Sequence, residues 1–326
     1  MQIETKWGTA TLVENCIMTG ATEQLQWMTE LHQAYNGDED RYMLRDAPRQ
    51  SFNINLGNGD IFRNDIRGLF AIPLHWCANL ALAGTGTTIE VQDLLSPMDL
   101  REGYALVDGQ VVEILAVDNN NIELAEEITL SQDSVIVPLR ICIIDNDALI
   151  NAGYSRLGYS ITFNVLAEDS PYFVSSADAQ YKNDDVVLTP ILAQSNSIDI
   201  NVTQHQNIVD NYVGGFQYYT HHDKARHSLP QTYLPKNRQE LSDFREFLFR
   251  RCGRYRQFWM PQPFKRGEIA TDMASRLKDG TWQTGVATTN LDYTCPLALY
   301  RFDNDTISIE YLGNNVARST AVLYEI

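Results

Sequence analysis

The sequence predicts a mainly β protein that contains one packed amphipathic helix. Most of the chain runs in short apolar or alternating segments separated by Gly, Asn and Asp turns, which is typical of strands. Helical signals are scarce, and the one with a defined start and end covers 237–252. At 326 residues, the chain is long enough for two domains or for one domain with a large insertion.

Residues 1–83 are assigned to the first part of the core, and within them 23–35 fit two periods. A helical spacing is met by Leu25, Met28, His32 and Tyr35. One face of a strand is met by Leu25, Trp27, Leu31 and Tyr35. Spacing alone leaves both interpretations open.

Residues 84–143 predict a small β-barrel inserted into the larger fold. We expect a turn at Gly84–Gly86 and then strands at 88–91, 104–107, 110–117, 122–124 and 135–144. Asp108-Gly109 is a strong hairpin signal, because these residues tolerate the positive φ of a tight turn. Five or so short strands in this length are typical of a small barrel. Insertions usually lie on surfaces, so we expect this one to face outward.

The rest of the chain divides into a connection and a second half of the core. Residues 144–200 are assigned to return strands and a linker arm, because 174–200 contains several clusters of Ser, Asn and Asp. Residues 201–326 are assigned to the second half of the core, which contains the helix.

The helix at 237–252 has a defined start and end. Asn237 with Glu240 three residues later resembles a capping box. The face formed by Leu241, Phe244 and Leu248 has helical spacing. Gly253 stands where a helix end favours positive φ. After it, Tyr255, Gln257 and Trp259 alternate with Arg254, Arg256 and Phe258, which predicts a strand.

Two motifs carry a family resemblance. In the first, the helix is followed by Arg251-Cys252-Gly253-Arg254, by Phe258-Trp259-Met260-Pro261 and, about a dozen residues later, by Asp272. The second runs Gly37-Asp38-Glu39-Asp40-Arg41 and then Pro48-Arg49-Gln50-Ser51-Phe52, with Asp40 in place of a more usual Gln or small residue. Together they resemble the distal-tail or baseplate (tail-tip) structural proteins of long-tailed phages and gene-transfer-agent particles. The matches touch about a third of the chain.

The resemblance implies a tail-tube-like β-sandwich or barrel core and favours the strand interpretation of 23–35. It implies a virion protein of the tail tip that is synthesised in the host cytoplasm. The expected assembly is a homo-oligomeric ring of six copies. The implied partners are the tail tube, the hub or baseplate proteins, and also the tape measure protein and fibres. Residues expected at the assembly interface are Glu39, Arg41, Pro48, Arg49, Arg250, Arg251, Arg254, Tyr255, Phe258 and Trp259. A threefold tail hub and a carbohydrate-binding baseplate adhesin are the alternatives.

Charge argues against nucleic-acid binding and allows two roles for the basic residues. The net charge of −17 should repel DNA, so a ring of such chains would let DNA pass without gripping it. The basic side chains gather at 245–266, where they dock an acidic face of a neighbouring subunit or form local ion pairs. No apolar run approaches 18 residues and no secretory signal is visible, so no membrane anchor is expected.

The sequence predicts no catalytic residue, no metal site and no cofactor. The five cysteines are scattered without a C-x-x-C pair, and Cys77, Cys142 and Cys252 are expected to be small buried hydrophobes. His221, His222 and His227 lack the spacing of metal ligands. Carboxylates are plentiful, but their spacing selects no glycosidase pair. A cell-wall hydrolase is therefore the weakest alternative.

Overall fold

The structure is a computed structural model that describes residues 1–13, 17–34, 38–56, 67–92, 103–118, 120–132, 134–152, 157–166, 180–187, 200–204, 206–210, 212–220, 225–313 and 316–326. The first strands are β1 (Gln2–Thr5), β2 (Gly8–Leu12), β3 (Ile17–Gln33), β4 (Glu39–Leu56), β5 (Leu69–Pro73), β6 (Asn79–Ala81) and β7 (Gly84–Gln92). Next come β8 (Gly103–Val107), β9 (Gln110–Asp118), β10 (Asn121–Leu130), β11 (Val135–Ala152), β12 (Leu157–Val165), β13 (Gln180–Tyr181), β14 (Asp184–Asp185), β15 (Asn201–Thr203), β16 (Gln206–Val209) and β17 (Gln217–Thr220). The last elements are β18 (Arg226–Tyr233), α1 (Arg238–Arg251), β19 (Phe258–Pro261), β20 (Met273–Leu277), β21 (Trp282–Thr284), β22 (Leu291–Phe302), β23 (Thr306–Tyr311) and β24 (Ala317–Glu325).

The predicted fold class is confirmed, since the described residues are 65% strand and 8% helical and contain one α-helix. The ambiguous segment 23–35 is a strand as far as Gln33, because it lies within β3. The predicted turn at Gly84–Gly86 is wrong. These residues open β7 and pair with the end of β10, Gly84 lying opposite Leu130.

One continuous sheet joins the two ends of the chain. β3 pairs with β4 on one side and with β23 on the other. β24 then connects β23 to β18 and β22. Strands from 1–83 and from 201–326 are therefore hydrogen-bonded neighbours in the same sheet, while the domain boundaries themselves stay a prediction.

Six strands form a small closed circuit with its own core. β6, β7, β10, β9, β8 and β11 pair in that order, and β11 closes the circuit by pairing with β6. Ile89, Val107 and Ile122 are among the apolar side chains buried together there. Pairing around the circuit covers strand edges that would otherwise be exposed. The circuit takes in Asn79–Ala81 as well as the predicted barrel, and β11 runs on into the main sheet, where it pairs with β5 and β12.

The helix packs on the main sheet by the face that the sequence predicts. The Asn237 side chain accepts a hydrogen bond from the backbone N–H of Glu240 at 2.8 Å, which satisfies one of the free donors at the helix start. Leu241, Phe244 and Leu248 are buried in the main apolar cluster with strand residues from both ends of the chain. Among the described residues, no helix is both long enough and apolar enough to cross a membrane.

The chain turns sharply after the helix, so the strand predicted from Arg254 starts later. Cys252 (φ 51°) and Gly253 (φ 63°) are both left-handed, which reverses the chain direction at the helix end. β19 then begins only at Phe258. The alternation seen in 254–257 belongs to a turn.

Candidate functional site

The two sequence motifs meet at one polar cleft of about 870 Å³. Three segments line it: the start of β4, the end of α1 with the following turn, and the β13–β14 hairpin. We call the side chains that hold these segments together the junction; they are Glu39, Arg41, Asp184, Asp185, Arg250, Arg251, Gln257 and Arg301. Its members lie as far as 262 residues apart in the chain.

Asp185 joins the β13–β14 hairpin to the end of the helix. Its Oδ2 accepts from Arg250 Nε at 2.9 Å and pairs with Arg251 Nη2 at 2.8 Å. Asp185 and Arg251 are buried, so both charges depend on this pairing. Hairpin backbone also docks directly, because the N–H of Val187 donates to the carbonyl of Trp259 at 2.8 Å.

Gln257 links the same hairpin to the start of β4. Its Oε1 accepts from Arg41 Nη2 at 2.8 Å, and its Nε2 donates to Asp184 Oδ2 at 3.1 Å. Arg251 Nη1 donates to the Gln257 carbonyl. Gln257 therefore contacts all three segments of the junction, two through its side-chain amide and the helix through its backbone carbonyl.

Glu39 and Arg301 form a two-bond ion pair at the edge of the junction. Arg301 Nε and Nη2 donate to the two Glu39 carboxylate oxygens at 2.9 and 3.0 Å, and both side chains are buried. Burial alone would raise the Glu39 pKa. The hydrogen bonds and charge of Arg301, with the charges of Arg226 and Arg41, outweigh burial and hold that pKa below its ordinary value. Glu39 therefore stays ionised at neutral pH.

The glycine of the Arg251–Arg254 motif allows a close approach to Asp305. Asp305 Oδ1 accepts from the backbone N–H of Arg254 at 2.9 Å, and its Oδ2 accepts from that of Thr29 at 2.7 Å. A Cβ on Gly253 would lie 2.6 Å from Asp305 Oδ1. The motif thus fixes the helix end against the turn between β22 and β23.

A second buried ion pair anchors the middle of the helix. Arg245 Nη1 donates to Glu23 Oε2 and also lies 3.2 Å from the Tyr311 hydroxyl. Tyr311 donates to the same Glu23 oxygen at 2.5 Å, and Gln50 Nε2 donates to Glu23 Oε1 at 2.6 Å. Burial, and then the Glu23 charge, raise the Tyr311 pKa well above its ordinary value, so its hydroxyl remains a donor. Of the two roles considered for the basic residues, Arg245, Arg250 and Arg251 thus form ion pairs within the chain.

Most residues predicted at an assembly interface contact other parts of this chain. Phe258 is fully buried in the core, and Trp259 packs edge-to-face on Tyr181 with ring centroids 5.3 Å apart. Tyr255 and Arg254 are half-buried at the turn after the helix.

Pro48 lies in a break in the β3–β4 pairing, where 46–48 stand opposite Trp27 alone. Proline has no backbone N–H to donate to a neighbouring strand, so a break in the pairing accommodates it. Arg49, just after the break, is exposed. That the ten residues expected at the assembly interface contact another subunit stays a prediction.

Sequence reasoning missed the acidic and amide partners at the junction. Asp184 and Asp185 were expected in a linker arm, but 180–185 form a docked hairpin. Gln257 was expected on a regular strand. Their partners are distant in sequence, so no local pattern could have identified these pairs.

The chemistry of the cleft is that of paired charges. Arg250 and Arg251 face the Asp185 carboxylate, and burial raises the pKa of the Cys252 thiol on the cleft wall, which disfavours the reactive thiolate. Within the described part of the chain, no group of three or more His, Cys, Asp and Glu side chains could hold a metal ion. His227 pairs with Glu325, while His221 and His222 lie outside the described residues. Cys77, Cys142 and Cys252 are buried, as predicted.

Comparison with protein-family models gives no match for this chain, and comparison with curated proteins gives none either. The resemblance to tail-tip proteins therefore depends on the two motifs themselves. The geometry adds that both motifs contribute side chains to one junction.

Proposed function

We propose that this chain is a structural virion protein of a phage tail tip, which forms a ring that joins the tail tube to the hub or baseplate and lets DNA pass. The observation that carries the proposal is the junction. Two motifs that resemble the same family are held side by side by hydrogen bonds between residues 216 positions apart. Chance matches to two short motifs would not be expected to meet in one network.

The junction suits a subunit that must keep its shape in an assembly. Buried ion pairs add little net stability compared with apolar packing, but they hold the joined segments in one arrangement. The helix, the hairpin and the start of β4 are fixed together in this way. A rigid unit loses less conformational freedom when it packs into a ring.

Net charge supports the proposed passage of DNA. At −17, the chain should not bind phosphate backbones, and a ring of such chains would surround an acidic bore. The arginines most buried at the junction already face carboxylates of this chain. In this proposal the protein has no catalytic role and needs no metal or cofactor.

Electron microscopy of intact particles with symmetry classification tests the proposal. A sixfold ring below the tail tube is the expected result, and antibody labelling at the tail tip would support the location. A threefold density would assign the chain to the hub. Absence of the chain from particles would reject the tail-tip role altogether.

A further inference from the structure

Residues 180–187, which we call the strap, form a short hairpin at the junction. Its strands pair from Gln180 opposite Asp185 across a two-residue turn at Lys182 and Asn183. Both turn residues are left-handed, with φ 50° and 70°, which is the geometry of a tight hairpin. Left-handed residues other than glycine are concentrated at ligand clamps and switch regions. The strap is therefore a preformed unit whose turn is typical of such regions.

The strap lies in a seat formed by the end of α1, β19, the start of β20 and β22. The side chains of the seat are Arg250, Arg251, Trp259, Asp272, Ala274, Cys295 and Leu297. Among the described residues, one isolated parallel bridge, between Val186 and Trp259, joins the strap to a neighbouring strand. The strap is therefore held mainly by its side chains.

An aromatic contact holds one strand of the strap. The Tyr181 ring packs edge-to-face on Trp259, and its hydroxyl donates to Asp272 Oδ1 at 2.6 Å. The hydrogen bonds from Lys182 and Tyr181 hold the Asp272 pKa below its ordinary value, so the acceptor is an ionised carboxylate. Asp272 is also the acidic residue of the first sequence motif. That motif residue therefore contributes to the seat.

A carboxylate and an aliphatic side chain hold the other strand. Asp185 pairs with Arg250 and Arg251 at the end of the helix. Val186, the next residue, is buried in an apolar cluster that includes Ala274. The seat therefore recognises a ring on one strand of a hairpin, and a carboxylate followed by an aliphatic residue on the other.

The strap can leave the seat at a small net cost in free energy. A two-stranded hairpin is marginally stable by itself, and a buried ion pair contributes little net stability, because separation returns both charges to water. The connections to β12 and β15 run through 167–179 and 188–199, which are long enough for the strap to move without unpairing either strand. Opening would therefore expose Trp259 and the arginines of the helix end without unfolding the sheet.

The strap also leaves hydrogen-bond donors of the seat unfilled. Nε of Arg251 and Nε1 of Trp259 are buried, and neither has an acceptor among the described residues. The same is true of Arg41 Nη1, whose side chain lines the adjoining cleft. Buried donors are nearly always paired in folded proteins. An occupant that brought further acceptors would therefore bind the seat better than the strap does.

We propose that the strap is an autoinhibitory occupant of a peptide-binding seat, and that a hairpin of another protein with the same chemistry replaces it. The ligand class follows from the groups that the seat recognises, since an incoming hairpin must supply an aromatic ring, a carboxylate and an aliphatic side chain. Replacement keeps the junction filled, because the incoming carboxylate pairs with Arg250 and Arg251. This inference goes beyond the proposed function and concerns a site contained within one chain.

Hydrogen exchange of the unaltered protein in increasing denaturant tests whether the strap opens by itself. The Val187 amide donates to the Trp259 carbonyl and so marks the closed strap. We expect this amide to exchange at a rate that low denaturant does not change, while amides of β22 exchange only through global unfolding. A Val187 amide that exchanges only together with those of β22 would overturn the displaceable strap.

Peptide binding tests the seat. The probe is a fluorescein-labelled synthetic peptide of 180–187, and Tyr181→Ala with Asp185→Asn weakens the strap of the protein itself. Because that strap then competes less, fluorescence anisotropy should show binding at least tenfold tighter than to the unaltered protein. Near-UV circular dichroism checks the fold. Asp185→Asn alone, with a smaller expected gain, replaces the double variant if the latter unfolds.

Two controls define the outcome of the binding experiment. A peptide that carries the same two substitutions should not bind, and Asp243→Asn, on an exposed part of the helix, should bind the probe like the unaltered protein. No binding of the probe to the weakened variant, or equal binding of both peptides, would overturn the peptide-binding seat. Tighter association of the weakened variant with the unaltered protein than of the unaltered protein with itself would identify the strap of a second copy as the partner, and would overturn a different protein.

Failure of this inference is distinguishable from failure of the proposed function. Both measurements use the isolated chain, so its absence from phage particles would reject the tail-tip role and leave the seat standing. A tail-tip ring in particles would not rescue the seat from a negative binding result.

Discussion

Gly253 occupies a position that no side chain can take without displacing a neighbour. Its φ of +63° is left-handed, and a Cβ would lie 2.6 Å from Asp305 Oδ1 and 3.1 Å from Asp305 Cα. The glycine of the motif is therefore explained by backbone geometry and by the close packing of the helix end.

Gly253→Ala should lower the free energy of unfolding through both left-handed strain and a steric clash. Left-handed backbone costs a residue other than Gly about 1–2 kcal/mol. Gly280→Ala is the matched control, because Gly280 has φ +89° with no atom within 4 Å of its Cβ position. Denaturant unfolding should show the larger loss for Gly253→Ala. Equal losses would contradict the clash with Asp305.

Glu39 should contribute to stability through its buried pair with Arg301. Glu39→Gln leaves the Arg301 charge buried without its carboxylate, a change that typically costs about 3–5 kcal/mol. Glu310→Gln disrupts an exposed pair with Arg318, which lies 2.6 Å away, and should cost about 1 kcal/mol or less. Chemical denaturation at pH 7 compares the two. A small effect of Glu39→Gln would contradict the importance of this pair.

The depressed pKa of Glu39 also sets a direction for pH dependence. Because the carboxylate is favoured in the folded protein, its contribution is fully present above the unfolded value, near 4.5. That contribution is lost as the pH falls through the lower folded value. Stability should therefore decrease more steeply below about pH 4.5 in the unaltered protein than in Glu39→Gln. Parallel curves measured by thermal unfolding from pH 3 to 7 would contradict this assignment.

At the scale of elements, the β13–β14 hairpin depends on Asp185 for its attachment to the helix. Asp185→Asn removes the charge that faces Arg250 and Arg251, and the hairpin should detach more often. We expect amide exchange at 184–187 to accelerate at least tenfold, which corresponds to about 1.4 kcal/mol. Hydrogen exchange with mass spectrometry measures this effect.

Asp243→Asn is the control for the hairpin, since Asp243 is exposed on the same helix and accepts a local hydrogen bond from Gln239 Nε2 at 2.7 Å. Amide exchange at 184–187 in this variant should match that of the unaltered protein. By the same reasoning, Arg250→Glu with Arg251→Glu would remove both arginine partners of Asp185 and add two carboxylates beside it. The double variant would destabilise the fold, so it is unsuitable as a test of assembly.

Local patterns predicted the elements whose causes are local. Asn237 and Glu240 define the helix start within one turn, and Asp108-Gly109 defines a two-residue hairpin between β8 and β9. Spacing also identified the apolar face of the helix. Each of these signals depends on residues only a few positions apart.

Features that depend on distant partners were not predicted. Asp185 appears in a polar stretch that resembles a linker, and its arginine partners come 65 and 66 residues later. Residues 254–257 alternate like a strand, but the left-handed pair at Cys252 and Gly253 redirects them. The candidate site was therefore found only as two separate motifs, without the network that joins them.

At the scale of the whole molecule, the net charge of −17 affects how copies of the chain assemble. Like charges oppose association, so self-association should strengthen as added salt screens the repulsion. Sedimentation velocity between 0.05 and about 0.5 M NaCl measures this dependence. Association that weakens with salt would indicate contacts made by opposite charges and would contradict this effect of the net charge.

The central claim is that this chain forms a ring at a phage tail tip. Electron microscopy of intact particles, with the protein located by antibody and its symmetry classified, tests it most directly. We predict a sixfold ring between the tail tube and the hub or baseplate. Particles that lack the chain would contradict the tail-tip role, and a chain found in particles with threefold symmetry would contradict the ring.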